Sequence, residues 1–420
     1  MKINIYIKYF LFLYLLAISS FEFFYRVNQL AIYLLFPLVT FGFFYYQKKI
    51  DYTVFLVILP FMLVYMLQTF LFGSPFYFAL TLGIRLITIY FTVKLIGQDF
   101  VKIFIQSIKI ISIVSLAIWL FQTFGGYGVL MTIASKFNNL GVEANDVLVL
   151  NRPSFIIYTI QTLDKGQLFV RNSGPFWEPG LFALYLNIVL FINLFINKKI
   201  FDKTNLLFII CIVTSFSTMG FVTLILNLTF VALLNKAVSL PKRIFMITFL
   251  IVSVPIIFSL PFMHDKIEEN YSKSNLSYSR FGAAIVHWNI VQDFPYTGMP
   301  SGEELMSKFY SKYANNISPN GITAMFTKYG VFVGFFYYFL LYRCCLTIME
   351  LLGEKKKGYA LFIILVVVLF SETQGDQPMY WAIIFSQFPL ENYLVRWKQY
   401  KRIKLYNRYL ENKRLSLAKI

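Results

Sequence analysis

About twelve runs of apolar residues, most of them close to 20 long, punctuate this 420-residue chain. They fall near 5–24, 28–46, 52–72, 76–97, 101–124, 179–197, 204–217, 219–235, 243–260, 319–346, 359–372 and 377–394. A helix needs about 20 apolar residues to cross the hydrocarbon core of a bilayer, and helices or closed barrels alone satisfy their backbone there. Composition agrees: 58% of the residues are hydrophobic and 14% charged, too few polar groups to coat a water-soluble particle of this size. The expected fold is an all-α integral membrane protein of about 12 transmembrane helices, one polytopic domain over 1–420. The N-terminal "KINIYIKYFLFLYLLAISS" joins a basic start to an apolar stretch without a small-x-small cleavage motif. It reads as an uncleaved first helix.

The formal net charge of +18 raises the question of nucleic acid, and the placement of the charges answers it. Lys and Arg in short loops set membrane orientation, because positive residues resist translocation. With both termini in the cytoplasm, inner segments hold 26 of the 38 basic residues against 7 acids. The basic tail, about 395–420, then meets anionic lipid, and no nucleic-acid partner is expected. This topology leaves two long outer-face loops, about 125–178 and 261–318, where functional residues tend to gather. Cys211, Cys344 and Cys345 fall in or beside apolar runs. There is no CxxC, DxD, Walker, GxGxxG or HExxH motif, so neither a metal nor a cofactor is expected.

The first outer loop ends in "RNSGPFWEPG", residues 171–180. Pro179 suits the first position of a helix and Glu178 its positive end. Arg171, Trp177 and Glu178 are crowded into a stiff turn, which marks a candidate site. The second loop contains "SRFGAAIVHWNIVQDFPYTGMPSG", residues 279–302, in which Arg280 and His287 are seven apart and share one helical face. Glu303 and Glu304 beyond it read as solvated charges. The next element, "SPNGITAMFTKYGVFVGFF", starts a span at Asn320, and Gly330 with Gly334 forms a small-xxx-small pair that suits close helix packing. Arg85 falls in mid-span in "TLGIRLITIY", where a charge is costly and functional by default. Arg171 and Arg280 could hold a lipid pyrophosphate, since the guanidinium fork binds phosphate bidentately and stays charged.

In order, "RNSGPFWEPGLFALYLNIVLF", "SRFGAAIVHWNIVQDFPYTGMPSG" and "SPNGITAMFTKYGVFVGFFYYF" resemble the bacterial O-antigen polymerase and ligase superfamily, over about 170–340. The resemblance implies a GT-C-like fold and a metal-independent, inverting glycosyltransferase on the outer face of the bacterial plasma membrane. The substrate would be an oligosaccharide on undecaprenyl pyrophosphate. A Wzy-type polymerase transfers the growing glycan to the next lipid-linked repeat unit of an O-antigen, capsule or exopolysaccharide. A chain-length regulator and a flippase would be its partners. On that reading Arg171 and Arg280 hold the pyrophosphate, and Arg85 is similar to an arginine of an early family helix. Glu178, then His287, is the expected general base. Trp177, Trp288 and Tyr296 offer sugar platforms, and Arg85, Trp177, Trp288 and Asn320 make up the expected substrate-binding set.

Two departures bear on the choice within the superfamily. Ligases carry a histidine before the Asn or Ser that opens the glycine-marked helix, whereas Pro319 stands before Asn320 here, which favours the polymerase. The arginine–ten residues–glycine spacing of some polymerases is absent, with Phe182 and Val291 at the glycine positions. The alternatives are an O-antigen ligase and a polytopic transporter or flippase of lipid-linked oligosaccharide. A transporter more often shows an internal repeat and a midplane site; no repeat is visible.

Overall fold

The computed structural model describes residues 3–25, 28–138, 152–163, 169–197, 202–234, 239–241, 243–244, 248, 280–313 and 320–401. The expected span at 243–260, parts of both long loops and the tail beyond 401 lie largely or wholly outside these residues. The described residues form a helical, membrane-embedded protein. Its helices are α1 (Ile5–Ser20), α2 (Asn28–Tyr45), α3 (Thr53–Phe72), α4 (Tyr77–Ile96), α5 (Phe100–Phe121) and α6 (Tyr127–Asn138). They continue with α7 (Pro179–Asn197), α8 (Lys203–Thr214), α9 (Thr218–Leu234), α10 (Arg280–Asp293) and α11 (Glu303–Tyr310). The last described are α12 (Gly321–Leu351), α13 (Gly358–Ser371) and α14 (Pro378–Phe385), the last followed by helical residues 387–401.

Among the described residues, four helical stretches are long and apolar enough to cross a membrane: Thr53–Phe72, Tyr77–Phe137, Pro179–Ile196 and Gly321–Leu351. Ile5–Ser20, Leu30–Tyr45, Lys203–Thr214 and Thr218–Leu234 are apolar but shorter. The all-α expectation needs one small amendment. Within the first long loop a two-residue hairpin pairs β1 (Ser154–Phe155) with β2 (Tyr158–Thr159).

Helix α7 is the axis of the bundle, with 89% of its apolar window buried. Its polar groups are met by neighbours. Asn187 accepts from Asn227 of α9 at 2.8 Å, and Asn193 donates to Asn205 of α8 at 2.7 Å. Such interhelical amide pairs are worth about 1 kcal/mol in a membrane, where apolar contact alone does not drive association.

The two ends of the bundle differ. At one end lie ion pairs between Lys8 and Asp99 (2.5 Å), Lys94 and Asp51 (2.7 Å), Arg343 and Glu391 (2.9 Å), and Lys398 and Glu350 (2.6 Å). The other end carries the 171–178 segment and the starts of α7, α9, α12 and α14.

The packing expected of Gly330 is overturned. Helix α12 breaks there, with φ 72° and ψ 175°, a region essentially reserved for glycine. The segment "FPYTGMP" (294–300) fills the break. The amide of Val331 donates to the Pro295 carbonyl and that of Met299 to the Thr327 carbonyl, both at 2.7 Å. Gln68 of α3 donates to the Lys328 carbonyl at 3.0 Å. Backbone groups freed inside an apolar bundle are thus satisfied by protein, as membrane depth requires. Gly334 abuts the Phe326 ring of its own helix.

Candidate functional site

The stiff turn before α7 is held on every side. Asn172 donates its amide to the Thr214 carbonyl at 2.9 Å, and its side-chain oxygen accepts from Ser115 at 2.5 Å and from the Gly174 amide at 3.1 Å. The Glu22 amide donates to the Pro175 carbonyl at 3.1 Å. Phe176 is fully buried, with Phe182 at 5.4 Å, Tyr185 at 5.3 Å and Phe21 at 5.2 Å between ring centroids. Each such aromatic pair adds about 0.5–1.5 kcal/mol beyond burial. Local sequence explains this: a Pro-Phe-Trp step has few conformations, and Pro179 then opens the helix. The Glu178 carbonyl accepts from Leu181 and Phe182, both at 3.2 Å, so Glu178 is fixed at the helix entrance.

Around that entrance the sequence-distant charges converge on Glu372, which follows α13 in the short connection 372–377. Glu372 is buried, and its charge environment consists of Glu178, Arg280, Arg171 and Arg152. Burial above all, then the negative charge of Glu178, pushes its carboxyl up to about 8, against the opposing pull of the three arginines. Both influences favour the protonated form of Glu372. Three helix starts close around it. A Cβ on Gly180 would lie 2.8 Å from Glu372 Oε1 and 3.5 Å from Ser217 Oγ, just before α9. Gly321 at the start of α12 meets the Glu372 carbonyl with no room for a side chain. Helix starts carry partial positive charge, so this end of the bundle favours an anion.

The arginines are anchored through their surroundings. Arg171 Nε donates to the Ser215 carbonyl at 3.3 Å, and Arg152 donates to the Trp177 carbonyl. Asn320 caps α12 by accepting from the amides of Ile322 and Thr323, both at 3.2 Å. Its amide nitrogen donates to the Arg280 carbonyl at 3.0 Å. Expected as a substrate contact, Asn320 acts in this structure as the tie between Arg280 and α12. His287 is buried, with Nδ1 2.7 Å from Thr323 Oγ1. Burial lowers its imidazole to about 4, so it is neutral at neutral pH. Trp177 is half-buried against the core, whereas Trp288 is 60% exposed on α10 and Tyr296 stacks on Phe332 at 5.9 Å. The side chains of Glu303 and Glu304 lie outside the description.

Arg85 belongs to a separate cluster. Its Nη2 donates to both oxygens of Asp376 at 2.8 and 2.9 Å, and Lys328 Nζ reaches Asp376 at 2.5 Å. Tyr329 at 2.8 Å and Trp381 at 3.2 Å complete the shell of that carboxylate. Asp376 and Glu372 share the connection 372–377, and four residues of chain set their Cα atoms at most about 14 Å apart.

The structure thus brings Arg171, Glu178 and Arg280 together, with Trp177 and Asn320 adjoining them. It adds Arg152 and Glu372, and it assigns Arg85 to a neighbouring cluster with Asp376 and Lys328. "SETQGDQP", two acids in a short link between apolar runs, was the available signal for Glu372 and Asp376. Against known proteins, no family model matches this chain and no curated protein matches it.

Proposed function

We propose that the protein is a polymerase of surface polysaccharide repeat units, a metal-independent glycosyltransferase. It would act on undecaprenyl-pyrophosphate-linked oligosaccharide at the outer face of a bacterial plasma membrane. In this reading about 12 spans form a GT-C-like bundle with both termini cytoplasmic. The observation that carries it is the group of three arginines, Arg152, Arg171 and Arg280, around a carboxylate pair at the starts of three helices. A diphosphate leaving group calls for such a place: fixed cations and helix ends stabilise the charge that grows as its bond to the sugar breaks. The acceptor hydroxyl attacks the anomeric carbon from the opposite face. The new glycosidic C–O bond forms, the bond to pyrophosphate breaks, and the hydroxyl proton passes to a carboxylate. Glu178 is the base in this scheme, because it is fixed at the entrance of α7 beside Arg171, whereas burial favours the protonated form of Glu372. Neutral His287 orients the α10–α12 junction.

A second reading, a transporter of lipid-linked oligosaccharide, draws support from the broken helix at Gly330 and the charges of Arg85 and Lys328 inside the bundle. One experiment separates the two: a gel of surface polysaccharide from a strain lacking the gene, complemented with wild-type, Arg171→Ala or Arg280→Ala protein. The polymerase reading expects a ladder collapsed to single repeat units in the null strain and in both variants at normal protein abundance. Loss of all surface glycan, even single units, favours transport. Lipid-linked polymer that accumulates without attachment indicates a ligase. A full ladder with both alanine variants removes the arginines from the chemistry.

A further inference from the structure

A cavity of about 390 Å³ opens between α2, α3, α4, α11, α12 and the segment 299–302. Its size falls within the range of small-molecule sites, roughly 300–1,000 Å³. Tyr77 stands at the start of α4, and Arg85, eight residues on, lies about 12 Å deeper along the helix axis. The walls are aromatic, with Tyr33, Tyr65, Tyr77, Phe78 and Tyr310, and Gln68, Thr81, Ser301 and Thr327 supply polar edges. Flat apolar faces with hydrogen-bonding rims suit a sugar ring, which has the same division of surface.

The charge of the cavity is asymmetric. Arg85 and Lys328 line it, and no acid does among the described residues. Both cations share the single carboxylate of Asp376, which leaves one positive charge in surplus. The cations also keep more surface open, 25% and 38% of their side chains against 16% for Asp376. Asp376 itself does not line the cavity. Among the described residues, three lining side chains carry a buried polar atom without a hydrogen-bond partner: Gln68 Oε1, Arg85 Nε and Ser301 Oγ. Such groups are uncommon in native structures, and their convergence on one cavity points to a polar ligand that reorients them.

We infer that this cavity binds an acidic monosaccharide unit, its ring between the tyrosines and its anionic group, carboxylate or phosphate, on Arg85 and Lys328. The inference stands on the cavity alone and survives failure of the glycosyl-transfer reading. If that reading holds, the acidic sugar belongs to the repeat unit, within reach of the arginine cluster across the 372–377 connection.

The test is a titration of the purified full-length protein in detergent, read by calorimetry and by tryptophan fluorescence, with Trp381 beside Asp376 as a local reporter. Probes are methyl glucuronide, glucose 6-phosphate, methyl glucoside and inorganic phosphate. Saturable binding of methyl glucuronide or glucose 6-phosphate is expected, at least tenfold tighter than methyl glucoside, and which of the two binds identifies the anionic group. Lys328→Met leaves Arg85 and Asp376 as a balanced pair, so the variant should fold; it should lose at least tenfold in affinity for the acidic sugar. Equal binding of the neutral glucoside, or undiminished binding by Lys328→Met, overturns the inference. So does inorganic phosphate binding as tightly as the sugar phosphate, or no saturable binding of any probe at millimolar concentration.

Discussion

Replacing Asp376 by asparagine leaves two cations of the bundle without their counter-ion. Asp376 faces Arg85 at 2.8 Å and Lys328 at 2.5 Å. At an effective dielectric of about 20, each such pair is worth roughly 4 kcal/mol or more of gross attraction. Removing the carboxylate also removes its own desolvation cost, so the net loss is smaller, about 3–5 kcal/mol as for other buried pairs broken on one side. Asparagine keeps the shape and one acceptor for Tyr329 and Trp381, so the loss reports the missing carboxylate oxygen that faces Arg85 and Lys328, in charge and in accepted hydrogen bonds. The assay is unfolding of purified protein in detergent, followed by tryptophan fluorescence, for wild-type, Asp376→Asn and the neutral triple variant Arg85→Met/Lys328→Met/Asp376→Asn. The single variant should be destabilised by about 3–5 kcal/mol. The triple variant, with no charge left to compensate, should recover to within about 1 kcal/mol of wild-type, since apolar replacements of buried ion clusters are often neutral. A single variant as stable as wild-type would mean that water already solvates both cations, and the argument from a shared counter-ion would fall.

Two further outcomes follow from backbone and burial. Gly330→Ala places a Cβ 2.5 Å from the Tyr296 carbonyl oxygen at a φ of 72°; it should cost about 1–3 kcal/mol from strain at that φ/ψ alone, measured by the same unfolding assay, whereas Gly128→Ala, where an added Cβ meets nothing within 4 Å, should be near neutral. The Glu372 carboxyl rises from 4.5 to about 8 on folding, so its contribution to stability is complete below about pH 4.5 and is lost as pH rises through about 8; Glu372→Gln should flatten that part of the stability–pH curve, and an unchanged slope would exclude Glu372 as its source.

Much of the helical plan could be read from hydrophobic run length, because a membrane span has a fixed physical minimum. The expected run 179–197 matches Pro179–Asn197, and 219–235 matches Thr218–Leu234 within a residue. The candidate site was legible where charge is concentrated. Arg171 and Glu178 stand out in "RNSGPFWEPG", and Arg280 and His287 share a helical face. Arg152 and Glu372 escaped because neither stands in a dense motif such as "RNSGPFWEPG", and what makes them a site is the placing of both beside partners far away in sequence. Gly330 was misread for a different reason. A glycine that lets helices approach and a glycine that breaks one look identical in a GxxxG pattern; the difference lies in φ, and the insertion of residues 294–300 decides it. Asn320 is expected from sequence to contact substrate; in the structure its side chain caps α12 and holds the Arg280 carbonyl.

The sheathing of α7 has a consequence for how the chain is made. Synthesis runs from the N-terminus, so α7 reaches the bilayer ahead of α8 and α9. At that moment Asn187 and Asn193 face lipid or earlier helices, and the amides that will meet them, Asn227 and Asn205, are still to come. The apolar remainder of α7 is long enough to hold it in the membrane meanwhile. The polar contacts of α7 are therefore completed only when α9 arrives, and until then the Asn187 side chain has the Ala183 carbonyl of its own helix as a partner.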